Sequence, residues 1–384
     1  MKTRHVFLLL FILTLLTGLM ACGKGEGKKS SNLDQAMAMA PTGTQWFYFT
    51  DWALIKEYEG FTDISSQNSI ETKMKFLMFG ADATADPPKP MRQASASAYG
   101  IQYIRNHAEV WGWDITDLAW EITIESSGPP LYVLQFNKDF DLGPFLALLN
   151  EREFTTSEYQ GVTVYSHEMS LKDEWLSKTG AFAILNTGVL EKENRLVLSA
   201  GIDNVHAVLD AYKGDDKSLT DDSAATATAE QLGEVASAII SSGPELCGSM
   251  SVSAIFGPQV TAEQREELIE KLGLDKAMVD DSRLHPYLAF GVGYRYKDDT
   301  PVGLIVFHYS SAATAEADLE LRRQWVDEGT SLITRAPFSE ALFTIEEATI
   351  QDTDLVWRVR PANDMPRRLF DMVYRRDLLF AICQ

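Results

Sequence analysis

The sequence predicts an α+β fold, with predominantly antiparallel sheets and helices packed on them. Three observations lead there. Apolar and polar residues alternate with period two in short runs, turn residues join neighbouring runs, and helical apolar spacing recurs between hairpins rather than after every strand. Antiparallel neighbours can be joined by tight turns, whereas parallel strands need a crossover each time. The chain has 384 residues and is 45% hydrophobic, so it can bury a substantial core, and wholesale disorder is excluded.

Order is expected to begin near Trp46-Phe47-Tyr48-Phe49. Residues 80–98, with Pro87-Pro88-Lys89-Pro90 and a Ser/Ala run, read as a long exposed loop. Leu118, Trp120, Ile122 and Ile124 alternate with Ala119, Glu121, Thr123 and Glu125, the pattern of a half-buried strand. Ser126-Ser127-Gly128-Pro129-Pro130 turns the chain into a second strand over 131–136, and Asp141 is placed to cap a helix through Phe145, Leu148 and Leu149. Strands are predicted over 161–167, 181–186 and 195–199. A helix with Val205, Val208, Leu209 and Tyr212 on one face should end at Gly214. Residues 214–229, acidic and rich in Thr and Ala, read as a second break.

Beyond that break, Thr261 and Gln264 form a capping-box signature at the start of the clearest helix, 261–274. Leu288, Phe290, Val292, Tyr294 and Tyr296 alternate along a strand that turns at 297–301 into another over 302–309. A helix with Ala317, Leu321 and Trp325 on its apolar face follows. Strands over 342–350 and 355–360, a helix over 366–375 and a last strand over 378–383 complete the pattern. Both stretches run hairpin, helix, strands, helix, which suggests two pseudo-duplicated halves at 45–230 and 231–384.

The first 22 residues carry a different message. Lys2 and Arg4 precede an apolar run over 6–16 broken only by Thr14, the length of a signal-peptide core and too short for the roughly 20 residues of a spanning helix. Leu19-Met20-Ala21-Cys22 resembles the lipobox of bacterial lipoproteins, with an aliphatic residue, a small residue just before the cysteine, and the cysteine itself. The resemblance covers these residues alone. It implies removal of residues 1–21, acylation of Cys22 and stable membrane anchoring. Residues 22–44, small and polar, then read as a flexible tether. The expected location is the extracytoplasmic side of a cell-envelope membrane, inner or outer.

The formal charge is −21, and loss of Lys2 and Arg4 would bring it to −23. Such a body repels nucleic acid, so no nucleic-acid partner is expected. Besides Cys22 the chain has only Cys247 and Cys383, one possible disulfide for a chain that folds after export.

No sequence motif specifies a chemistry. GxSxG, SxxK, HExxH and CxxC are absent, and Gly18-x4-Gly23-Lys24 lacks the Ser or Thr of a phosphate loop. No cofactor or metal is called for. Two features could bind a ligand. Trp111 and Trp113, if extended, project from one face about 7 Å apart beside Asp114, suiting sugar rings or a hydrophobic peptide; buried core packing is the more ordinary reading of the pair. Arg358, Arg360, Arg367, Arg368, Arg375 and Arg376 form a series with no lysine after Lys297, and guanidinium forks suit carboxylate or phosphate; pairing with internal acids is the alternative. The expected function is non-enzymatic binding of a small molecule, glycan or protein at the cell surface. A hydrolase with an unfamiliar site and a structural envelope lipoprotein stay open.

Overall fold

The computed structural model describes residues 31–77, 106–251 (except 127, 171 and 181), 257, 259–271, 284–297 and 300–383. The expected signal peptide, Cys22 and the expected loop at 80–98 lie outside the described residues. The α+β class holds. Twelve strands form one antiparallel sheet: β1 Trp46–Thr50, β2 Leu118–Glu125, β3 Leu131–Phe136, β4 Thr155–Tyr159, β5 Val162–Ser166, β6 Asn186–Leu190, β7 Arg195–Ser199, β8 Ser237–Ser242, β9 Ala289–Lys297, β10 Thr300–His308, β11 Phe343–Gln351 and β12 Asp354–Pro361. Their order across the sheet is β11-β12-β10-β9-β8-β1-β2-β3-β7-β6-β5-β4. Outward from the central β1–β8 pair, β1-β2-β3-β7-β6 is followed by β5 and then the edge strand β4, while β8-β9-β10-β12-β11 runs the same course without that extra hairpin.

Alternation along each strand divides the core into two layers. In β1, Trp46 and Tyr48 join one apolar cluster while Phe47 and Phe49 join the other. The first layer is covered by helices that include Trp52–Glu59, Gly143–Glu151, Ala312–Glu328 and Arg367–Tyr374. The second is covered by Asn32–Met37, Ile202–Lys213 and Ser223–Leu232. The helix Ile202–Lys213 ends, as its sequence implies, on a left-handed Gly214. It buries Val205, Val208 and Leu209 completely, and each such side chain is worth about 1.5–3 kcal/mol. The Thr261–Gln264 capping box also forms: each residue's backbone N–H donates to the other's side-chain oxygen.

Several expectations are corrected. Strand β2 is buried on both faces, because the sheet continues on either side of it and both layers are covered; even Glu121 has no exposed surface. The tether expected through residue 44 does not extend that far: Leu33, Ala36, Met37, Met39 and Ala40 are buried against the second layer. Residues 214–229 are not an open break. Asp222 accepts from the N–H groups of Ala224 and Ala225 and starts the helix Ser223–Leu232. This helix lies close against β9, where a Cβ on Gly291 would collide with Thr228, and one on Gly293 would come within 2.8 Å of Leu232. Small residues there are packing surface rather than loop composition.

The strand expected over 181–186 is a 3₁₀ turn, Phe182–Leu185, that delivers the chain into β6. The last expected strand, 378–383, is likewise a buried 3₁₀ turn, Leu379–Ala381, seated under the helix Ala312–Glu328. That helix buries Trp325 and packs Leu321 against the core, as expected, but its inward face is shifted. Ala317 is exposed, and the buried set is Ala315, Asp318, Arg322, Trp325 and Val326. A pattern search over apolar residues passes over a face that carries a salt bridge.

Candidate functional site

The tryptophan pair is not the exposed face that its spacing suggests, and the arginine series divides. Trp111 and Trp113 are fully buried. Trp111 ends the short helix His107–Trp111, and Gly112 reverses the backbone with a left-handed φ of 77°, so the pair never forms an extended ladder. Trp113 packs edge-on to Phe136 and Phe145 at 5.2 and 6.1 Å, and Trp111 lies under the Arg152 guanidinium at 4.1 Å. Asp114 is 1% exposed and structural. It caps the 3₁₀ turn Ile115–Asp117 through a reciprocal box with Asp117, and its other oxygen meets Lys73 Nζ at 2.6 Å.

Around this core lies a group of buried titratable residues. Lys56 donates to the carbonyls of Thr116 and Leu118 at 2.6 and 2.8 Å, and burial lowers its pKa to about 8. His107 Nδ1 bonds to the carbonyl of Trp113, and desolvation lowers the imidazole to about 4. These groups tie the helices of the first layer to the start of β2.

The arginines are largely committed to acids of this chain. Arg358 reaches Glu346 at 3.3 Å and Glu347 at 3.9 Å, Arg360 reaches Asp364 at 3.2 Å, and Arg367 reaches Asp371 at 3.1 Å. Arg368 is half-buried beside them. Exposed pairs of this kind contribute at most about 1 kcal/mol, and each already sets one carboxylate beside its guanidinium.

Arg376 behaves differently. Its guanidinium stands over the Trp46 ring, 5.3 Å from the centroid, and makes no ion pair among the described residues. Its backbone is held on both sides. Tyr374 stacks on Tyr48 at 5.2 Å with the rings 6° from parallel. Asp377, 1% exposed, accepts from Ser331 Oγ at 2.6 Å and from the Leu332 N–H at 2.8 Å. Burial raises the Asp377 pKa, and these hydrogen bonds oppose the rise.

Trp46 and Arg376 form one wall of a cavity of about 460 Å³ at the end of the β1–β8 pair, where the two stretches of sheet meet. Asp222, Ser242, Glu245 and Leu246 line it as well. Ser242 Oγ donates to Asp222 Oδ2 at 2.7 Å, so the residue that starts the helix Ser223–Leu232 also fixes the cavity edge. Glu245, exposed, makes no ion pair among the described residues. The volume falls within the range of small-molecule sites, and the lining mixes an aromatic face with charges of both signs. A smaller cavity, about 240 Å³, lies beside the stacked Tyr58–Tyr296 pair.

The floor of the larger cavity is fastened covalently. Cys247 follows Leu246 in the turn Leu246–Ser249 and is paired with Cys383, with Cα atoms 4.9 Å apart. The Cys383 N–H also bonds to the carbonyl of Met250. Three histidines meet aspartates and act as clasps: His167 with Asp173, His285 with Asp318, and His308 with Asp354, the last joining β10 to β12.

No protein-family model matches the chain, and no curated protein matches it. Among solved structures it is similar to crystal form I of TP0453, at 8% identity and a TM-score of 0.38, over 91% of this chain and 98% of that one. It is also similar to crystal form III of TP0453, at 8% identity and a TM-score of 0.37, over 88% and 97%. Likeness at this level carries no argument about function.

Proposed function

We propose that this protein is exported, lipidated at Cys22 and held on the extracytoplasmic face of a cell-envelope membrane. There its folded body binds a ligand or partner without transforming it. The observation that carries the reading is Leu19-Met20-Ala21-Cys22 at the end of a signal-peptide-like run. Two features support it. Cys247 and Cys383 are paired, as suits a chain that folds where disulfides persist. The cavity between Trp46 and Arg376 has a ligand-sized volume with a few placed polar groups.

The anchor would be short. Residues 23–31 separate Cys22 from the helix beginning at Asn32, and nine residues span at most about 30 Å even fully extended. Such a protein would sit close to the headgroups rather than on a long stalk. Membrane fractionation of cells expressing the full chain tests the reading. The native chain should sediment with membranes and be released by detergent. Cys22→Ser should leave the membrane fraction or persist as the uncleaved precursor, and mature-sized, membrane-bound Cys22→Ser would contradict the reading.

A further inference from the structure

We infer that the cavity at the end of the β1–β8 pair binds a short peptide zwitterion, with the peptide carboxylate on Arg376 and its ammonium toward Glu245. The inference deepens the binding role proposed above by naming the class of ligand. It rests on the ligand-binding part of that reading and not on the lipid.

Arg376 is a positioned cation. Tyr374 stacked on Tyr48 and Asp377 bonded to Ser331 bracket its backbone, and its exposed guanidinium lies 5.3 Å from the centroid of the Trp46 ring. A planar fork beside an aromatic face, with no carboxylate partner among the described residues, is suited to take a carboxylate from a ligand. The other arginines of the series lack this freedom where acids hold them.

The cavity is not a general anion site. Glu245 and Asp222 line it too, and both would repel a ligand carrying only negative charge. Asp222 is already engaged by Ser242 and by the helix N–H groups, which leaves Glu245 as the free acid. A ligand with one carboxylate and one ammonium satisfies both signs at once. Exposed Pro244 adds apolar surface, with the edges of the largely buried Trp46 and Leu246 behind it, and about 460 Å³ accommodates two or three residues rather than a single small amino acid.

Isothermal titration of the full folded body with the tripeptide Ala-Leu-Ala is the test. Parallel titrations use the same peptide acetylated at its amine and the same peptide amidated at its carboxyl. Free Ala-Leu-Ala should bind, and each blocked form should bind at least tenfold more weakly. In Arg376→Gln the free and amidated peptides should bind alike; in Glu245→Gln the free and acetylated peptides should bind alike. Arg358→Gln, outside the cavity, should bind as the native protein does. Failure of Ala-Leu-Ala to bind, equal binding of free and blocked peptides, or unchanged preferences in both cavity variants would overturn the assignment. None of those results would bear on lipidation of Cys22.

Discussion

Asp318 and Arg322, one helical turn apart, are both fully buried and lie 3.0 Å from each other. Neither is isolated. Asp318 also accepts from the His285 N–H and from Tyr309 Oη, while Arg322 donates to Tyr309 Oη and to the carbonyls of Phe380, Ile382 and His285. The pair therefore joins a helix, the end of β10 and the C-terminal turn in one network. Replacing a buried pair with apolar residues can be neutral, but removing one partner strands the other charge. Asp318→Asn is expected to lower stability by about 3–5 kcal/mol, read from the urea midpoint, with the C-terminal residues losing hydrogen-exchange protection first. A variant within 1 kcal/mol of the native protein would contradict this role.

The Cys247–Cys383 bond closes the same region from the other side, across a sequence separation of 136 residues. In the chain-entropy account a loop of that length contributes up to about 5 kcal/mol. Cys383→Ser, or mild reduction, should lower the melting temperature and make both the C-terminal turn and residues 246–249 more sensitive to protease. Unchanged melting after confirmed reduction would show that the buried network suffices alone.

His107 gives an acid-side signature. Its folded pKa, about 4, lies below the ordinary imidazole value of 6.5 because burial disfavours the charged form. The unfolded chain therefore binds a proton between those values while the folded chain does not. Stability from this group is fully present above about pH 6.5 and is lost as pH falls toward 4, by about 3 kcal/mol in all. His107→Phe should be weaker than the native protein at pH 7 yet lose less stability between pH 6.5 and 4. Urea titrations across that interval check the slope, and parallel slopes for the two proteins would exclude His107 as its source.

Gly291 tests the packing of the helix Ser223–Leu232. A side chain there would strike Thr228 and Leu232, so the helix must lift from the sheet to admit one. Gly291→Val should cost about 1–3 kcal/mol through overpacking. A second change, Thr228→Ala, should recover part of the loss by making room. If Thr228→Ala restores nothing, the contact between this helix and β9 is not the reason for glycine.

Much of the sheet was legible because period-two alternation and turn residues are local signals. Strands β2, β3 and β7 fall where the sequence places them, and the Gly214 stop and Thr261 cap are read directly. What escaped depended on partners distant in sequence. The helix Ser223–Leu232 looked like a loop until two glycines of β9 made space for its small residues. The inward face of Ala312–Glu328 was read only in part, at Leu321 and Trp325, because a buried ion pair interrupts its apolar residues. The candidate site was legible only in part. Arg376 stood within the arginine series, but nothing local distinguishes it from Arg358 or Arg367; its place over Trp46 follows from contacts made by Tyr374 and Asp377 across the fold. Trp111 and Trp113 were attractive because aromatic spacing alone does not reveal burial.

Tandem mass spectrometry of the amino-terminal peptide of the purified full-length product tests the central claim most directly. The expected result is a chain beginning at Cys22 whose thiol carries diacylglycerol, with no peptide from residues 1–21 attached. An unmodified Cys22 thiol, or a mature chain beginning elsewhere, would contradict the account of where this protein works.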